Sequence, residues 1–276
     1  MIKKIYIVLL LSLLAGTTAF AQKDYEGYVK DALDYTDKKD YAAAEQAYKA
    51  ALRLESANPG NILLMMNLGT IQRYLGKYEE ALISYDIVVQ HKPSLDYILN
   101  SRARLYCDMN RYEDALKDYT TIILHYPANM DALYDRGLVY ITLRRLDEAE
   151  GDFNSILLKD ETNRKAKMGL AMIMKRRGQW KEAEQLYSDL ISEERGNGEL
   201  YANRAECYLN LKRLRSMGDD LDRAVEYGYD DYSIHILKGQ LKLEQFEKDI
   251  AREEFEKAVE KGADRELVED FLLLCK

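Results

Sequence analysis

Apolar and small residues recur along most of this chain at spacings of three and four, the repeat of one helix face rather than of a strand. Leu133, Gly137 and Tyr140 follow that spacing, as do Tyr201, Ala205 and Tyr208. After a short break a second stripe follows in each case, such as Ala149, Phe153 and Ile156, or Ala115, Tyr119 and Ile122. Gly or a polar pair stands in the breaks, as in Leu75-Gly76-Lys77-Tyr78 and Arg177-Gly178-Gln179-Trp180. The pattern predicts successive helical hairpins. Only 3 Pro occur in 276 residues, so few helix interiors are broken.

The hairpins form a series. Aligned on the motif (Leu/Tyr)-x-x-Ala, the positions Ala81, Ala115, Ala149, Ala183, Met217 and Ala251 stand 34 residues apart, and Ala44 lies 37 before Ala81. Seven units follow, at about 25–58, 62–95, 96–129, 130–163, 164–197, 198–231 and 232–265. First helices carry Gly69, Ala103, Gly137, Ala171, Ala205 and Gly239 at one position, expected to face the aligned alanines, because backbones approach closely only where side chains are nearly absent. Tyr48, Tyr85, Tyr119, Phe153, Tyr187 and Phe255 supply rings beside that crossing. Pro93 and Pro127 are placed to end second helices.

A 34-residue period, a small residue at the crossing, an aromatic four residues after the motif Ala and Pro at the exit resemble the tetratricopeptide repeat family. The resemblance covers nearly the whole chain after residue 21. It implies an all-α fold, an α-solenoid wound as a right-handed superhelix of about seven repeats over 22–265. It also implies a non-catalytic protein-interaction scaffold without cofactor, holding a peptide or protein segment on an inner surface lined by first helices. Carried over, those positions are Met66, Thr70, Arg73, Tyr97, Asn100, Arg104, Tyr134, Leu138, Ile141, Met168 and Met172. The expected ligand combines acidic and hydrophobic residues, since Arg73 and Arg104 can pair with carboxylates and the aliphatic positions form an apolar floor. The subgroup that clamps a terminal carboxylate with a set Lys/Asn/Lys/Arg pattern is not reproduced, because Asn67 and Asn100 lack the matching lysines. Met217 in a small slot, and Lys242 and Lys248 in aromatic slots, predict looser or shifted packing in the last two units.

Both ends differ from the array. Lys3 and Lys4 precede an apolar run from Ile5 to Ala15 and the small-residue pattern Ala19-Phe20-Ala21, the layout of a secretory signal peptide cleaved before Gln22. The run is too short to span a membrane. Export to the periplasm or cell envelope is therefore expected, with secretion as the alternative and association with an envelope complex left open. At the other end, 266–276 reads as a capping helix with Leu267, Phe271 and Leu274 on one stripe laid over the seventh unit. The alternative is a homodimer contact through that helix, making the array a structural spacer.

Charge narrows the partners. The chain carries 40 basic and 48 acidic residues, and losing Lys3 and Lys4 lowers the formal net charge of −8 by two more units. Such a balance repels phosphate backbones and argues against nucleic acid as a partner. The fifth unit runs against it: Arg164, Lys165, Lys167, Lys175, Arg176, Arg177 and Lys181 form a basic cluster, either a docking patch for an acidic partner or lipid headgroup or a solvated face. Another set is matched between helices. Arg102, Arg136, Arg204 and Lys238 share one first-helix position, and sixteen residues later stand Asp118, Asp152, Asp220 and Glu254. Where the first member is Leu68 or Leu170, the second is Ser84 or Leu186, so facing ion pairs within hairpins are expected. Cys107, Cys207 and Cys275 form no CxxC pair and lie in distant units, which predicts no intramolecular disulfide. No sequence motif for phosphate binding, zinc or nucleophilic hydrolysis occurs.

Overall fold

The computed structural model describes residues 24–276, so the expected signal peptide at 1–21 lies outside the described residues. All the regular structure among them is helical. Six helices, α1 (Tyr25–Asp37), α2 (Tyr41–Leu54), α3 (Asn61–Tyr74), α4 (Tyr78–His91), α5 (Asp96–Asp108) and α6 (Tyr112–His125), pair into three hairpins. Eight more, α7 (Met130–Thr142), α8 (Leu146–Leu157), α9 (Arg164–Arg176), α10 (Trp180–Glu193), α11 (Gly198–Asn210), α12 (Leu214–Glu226), α13 (Tyr232–Glu244) and α14 (Lys248–Glu260), pair into four. A last helix, α15 (Arg265–Leu274), caps the series. The chain is an all-α fold of about seven paired repeats and a capping helix. It divides into two compact bodies, one ending at Tyr126 and one beginning at Pro127.

Each hairpin turns through one residue in the left-handed region: Lys39, Gly76, Asn110, Arg144, Gly178, Lys212 and Phe246. The N–H that follows bonds back to the fifth carbonyl before it, as from Lys77 to Gln72 and from Arg213 to Tyr208, each 2.9 Å. This closure satisfies carbonyls that the helix end would orphan. Asn129, Asn163 and Asp264 cap helix starts by accepting from backbone N–H groups. The residues preceding Pro93 and Pro127 leave helical geometry, Lys92 at φ −139° and Tyr126 at φ −129°, as steric conflict with the pyrrolidine ring requires.

The small residues of first helices meet rings as well as alanines. A Cβ at Gly69 would stand 2.7 Å from Cδ1 of Tyr85 and 3.3 Å from the Ala81 carbonyl oxygen. The looseness expected late in the chain is absent. Met217 is fully buried, its unbranched thioether filling the slot, and Gly239 lies so close to Phe255 that a Cβ would come within 2.5 Å. Lys242 and Lys248 leave the packing undisturbed by reaching outward, to Glu247 at 2.8 Å and to the Lys276 carbonyl at 3.4 Å.

The capping helix is rotated from its expected stripe. Val268 and Cys275 are buried against the seventh hairpin with Leu272 beside them, and Phe271 stacks on Phe255 at 5.1 Å. Leu267 and Leu274 remain 54% and 59% exposed. The stacked ring sets the rotation, leaving the two outer leucines on the flank.

Candidate functional site

Three of the four expected hairpin ion pairs form. Arg102 donates to Asp118 through Nε at 2.8 Å and Nη2 at 2.7 Å, and its Nη1 reaches Asp86 of the preceding hairpin at 2.6 Å. Arg136 grips Asp152 in the same bidentate way at 2.9 and 2.7 Å, and Arg204 grips Asp220 at 2.7 and 2.8 Å while also donating to Ser188. Burial alone would push the Arg102 guanidinium down, yet its bonds to Asp118 hold it well above the ordinary arginine value. In the seventh hairpin the pairing differs from the expected Lys238–Glu254. His235, one turn earlier on α13, places Nδ1 2.7 Å from Glu254 and Nε2 3.1 Å from Asp230, and Lys257 takes the other Glu254 oxygen at 2.7 Å. Ser84 donates to Gln72 at 2.7 Å, so the second hairpin, which lacks charge at the matched positions, keeps a polar tie in another register.

In the N-terminal body, the first-helix face carries Tyr97 55% exposed at the start of α5, with Asn100 half-buried and Arg104 exposed farther along the same stripe. Arg73 does not reach outward unengaged: its Nε donates to Asp108 at 2.5 Å. Thr70 shares a hydrogen bond with the Tyr85 hydroxyl at 3.1 Å, and Met66 packs beside the core that contains Tyr85. The side-chain oxygen of Asn100 is buried without a partner.

In the C-terminal body, Tyr134 is half-buried, tilted on Phe153 at 5.8 Å, with the Lys165 ammonium 5.7 Å above its ring. Burial pushes its phenol up. Leu138 is half-buried and Ile141 is buried in the core. Met168 packs on the core around Ala171 and Tyr187, whereas Met172 lines an open hollow with Lys175, Arg176 and Trp180. Most of the basic cluster is neutralised locally: Arg164 pairs with Glu194 at 3.1 Å, Lys167 with Glu193 at 2.9 Å, Arg177 with Asp147 and Glu150, and Lys175 with Glu206. Arg176 has no carboxylate partner among the described residues and lines a hollow of about 670 Å³ between the first helices and α15. Nothing in the spacing of the units singles out that hollow, because its far wall is the capping helix, which is outside the repeat.

Cys107, Cys207 and Cys275 form no disulfide among the described residues. Burial pushes the Cys207 thiol up to about 12, which removes thiolate reactivity at neutral pH. No group of metal-binding side chains, and no helix long and apolar enough to cross a membrane, occurs among the described residues.

The tetratricopeptide repeat family model matches residues 29–95 and 100–166. Among solved structures, the chain is similar to a tetratricopeptide repeat protein from Parabacteroides merdae, at 38% identity over 91% of this chain and 98% of the other, with a TM-score of 0.83. It is also similar to PilW, a widely conserved type IV pilus biogenesis factor, at 18% identity over 74% of this chain and 93% of the other, TM-score 0.61. A third likeness is to YrrB, a TPR protein with an unusual peptide-binding site, at 18% identity over 69% of this chain and 97% of the other, TM-score 0.51. At such identity the last two share the fold alone. Comparison with curated proteins gives no match.

Proposed function

The chain belongs to the tetratricopeptide repeat family, whose members are protein-interaction scaffolds, and we propose that it is an exported one that holds a segment of another cell-envelope protein on its first-helix faces. The observation that carries this reading is the division of labour between helices. Second helices commit their rings to the core, while first helices keep a face open, with Tyr97 exposed in one body and a hollow of about 670 Å³ in the other. Such a face combines aromatic area, amides and a guanidinium, the side chains that concentrate binding energy at interfaces. Export is supported by the layout of residues 1–21. In the N-terminal body, Tyr97, Asn100 and Arg104 are the proposed contact stripe, and Arg73 orients it through Asp108. Tyr134 contributes through its packing on Phe153 as much as through its surface.

A second reading, self-association through α15, is favoured by the exposure of Leu267 and Leu274. Affinity capture of the tagged chain from native envelope, with cross-linking and mass spectrometry, separates the two. A stoichiometric foreign partner cross-linked near Tyr97 or the C-terminal hollow supports the scaffold; recovery of the chain alone, as a dimer broken by Leu267→Glu, supports self-association. N-terminal sequencing of the native protein that begins at Gln22 supports export, and an intact Met1 in the cytosolic fraction refutes it.

A further inference from the structure

Buried His235 lies between two carboxylates. Its Nδ1 stands 2.7 Å from Glu254 Oε2 on α14, and its Nε2 stands 3.1 Å from Asp230 Oδ1 in the linker between α12 and α13. A neutral imidazole has one N–H and one lone pair, so it donates to one carboxylate and presents the lone pair to the other. Only the imidazolium donates to both. The far oxygens are already taken, Glu254 Oε1 by Lys257 and Asp230 Oδ2 by Lys261, each at 2.7 Å. Burial pushes the Glu254 carboxyl up, but its bonds to Lys257 and His235 outweigh burial and hold it below the ordinary value. Lys261, with His235 adding to it, holds the Asp230 carboxyl down as well. Both carboxylates are therefore ionised at neutral pH, whereas imidazole ordinarily changes its charge between about pH 5 and 8. The other charges of the packed helices, Asp222 on α12 and Lys238 on α13, line a hollow beside Glu254.

Three other hairpins avoid a titrating partner. Glu254 occupies the repeat position of Asp118, Asp152 and Asp220, each gripped by an arginine whose charge is fixed at any pH of interest. We propose that His235 is a pH-operated clamp on the joint between the sixth and seventh hairpins, closed while its ring carries two protons and released from Asp230 when it loses one. Asp230 is the contact given up because it is the longer one and its side chain is 41% exposed, against 14% for Glu254. The charged ring is the form that the two carboxylates bind. Its stabilisation is therefore complete on the acid side of the imidazole transition and disappears on the alkaline side. Asp230 is flanked in the linker by Gly228, at φ 82°, and by Asp231, which caps α13, so the release acts on the backbone that leads into the last hairpin. The capping helix α15 packs on α13 and α14 and belongs to the unit beyond the joint. Raising the pH thus loosens the end of the array and spares the hairpins clamped by arginine.

The test is hydrogen exchange of the full chain, read by mass spectrometry at about pH 6 and about pH 8.5 and corrected for the intrinsic exchange rate. Protection of the segment 229–236 falls about tenfold on the alkaline side, the loss of one charge-assisted hydrogen bond, while the segment 195–202 at the preceding joint keeps its protection. Over the same range the ring nitrogen resonances of His235, assigned among the 3 histidines by comparison with His235→Gln, leave the imidazolium pattern. His235→Gln shows the weak, alkaline level of protection at both pH values. Asp230→Asn supplies an amide that accepts from an N–H or donates to a lone pair, so the step disappears; this side chain is exposed and the fold is kept. Lys261→Gln, which removes the other partner of Asp230, retains the step. The proposal is overturned by a step that persists in His235→Gln or Asp230→Asn, by a step lost in Lys261→Gln, by equal loss of protection at both joints, or by a His235 ring that does not change over this range.

Discussion

Gly169 on α9 lies directly against the ring of Phe153 on α8: a Cβ at Gly169 would stand 2.5 Å from Cε2 and Cζ. Gly137 on α7 approaches the same ring, where a Cβ would be 2.7 Å from Cε1. Phe153 is fully buried, held between the first helices of two successive hairpins. A single side chain thus joins intra-hairpin packing to the stacking that stabilises the array.

Gly169→Ala is therefore expected to destabilise, by about 1–3 kcal/mol, because the ring has no space to retreat in a close-packed core. Gly151→Ala on α8 is the control, since nothing lies within 4 Å of its Cβ direction. Relief of backbone entropy in mid-helix should stabilise it by roughly 0.5–1 kcal/mol. Guanidinium denaturation of both variants checks the contrast.

The Arg204–Asp220 pair is largely buried, with side-chain exposures of 13% and 4%. Asp220→Leu strands a guanidinium and should cost about 3–5 kcal/mol, whereas Arg204→Met with Asp220→Leu should restore most of that loss. A double-mutant cycle measured by thermal and chemical unfolding gives the coupling, and a single variant as stable as the parent contradicts the buried geometry.

Two tyrosines at one repeat position should respond oppositely to losing their hydroxyl. Tyr85 shares a hydrogen bond with Thr70 at 3.1 Å, whereas the buried Tyr187 hydroxyl has no partner. Tyr85→Phe is expected to cost about 0.5–1.5 kcal/mol, and Tyr187→Phe to be neutral or stabilising by about 1 kcal/mol. Phe153 and Phe255 already occupy the equivalent place in other hairpins. Differential scanning calorimetry of the pair resolves the sign.

Acid stability of the N-terminal body should depend on Glu45. Burial pushes its carboxyl up, but Lys77 at 2.6 Å and Lys49 at 2.7 Å outweigh burial and hold it below the ordinary glutamate value. A carboxyl lowered by folding contributes stability that is complete above the unfolded value of about 4.3 and disappears as pH falls through the folded value. Glu45→Gln should lower the melting temperature at pH 7 and flatten its decline from about pH 5 downward. Unchanged slopes in a melting series across that range would refute the role given to Glu45.

How much of this was legible in the sequence follows from what each feature depends on. Hairpins, their number and the Arg102–Asp118, Arg136–Asp152 and Arg204–Asp220 pairs depend on period and offset, which a chain that repeats itself displays in its own alignment. A charge present at both positions or at neither reads as a contact because every hairpin has the same geometry. Side-chain reach and helix rotation are different quantities. His235 rather than Lys238 meets Glu254 because a short ring one turn earlier points at it, and linear spacing carries no such direction. Arg73 is engaged by Asp108 from the next hairpin, a contact that exists only once α3 and α5 are packed side by side. For the capping helix the chain determined an amphipathic helix, and tertiary packing decided its face: stacking Phe271 on Phe255 buries Val268 and turns Leu267 outward. The C-terminal hollow follows from that rotation, since a groove bounded by non-repeating side chains exists only after the helices are packed against one another.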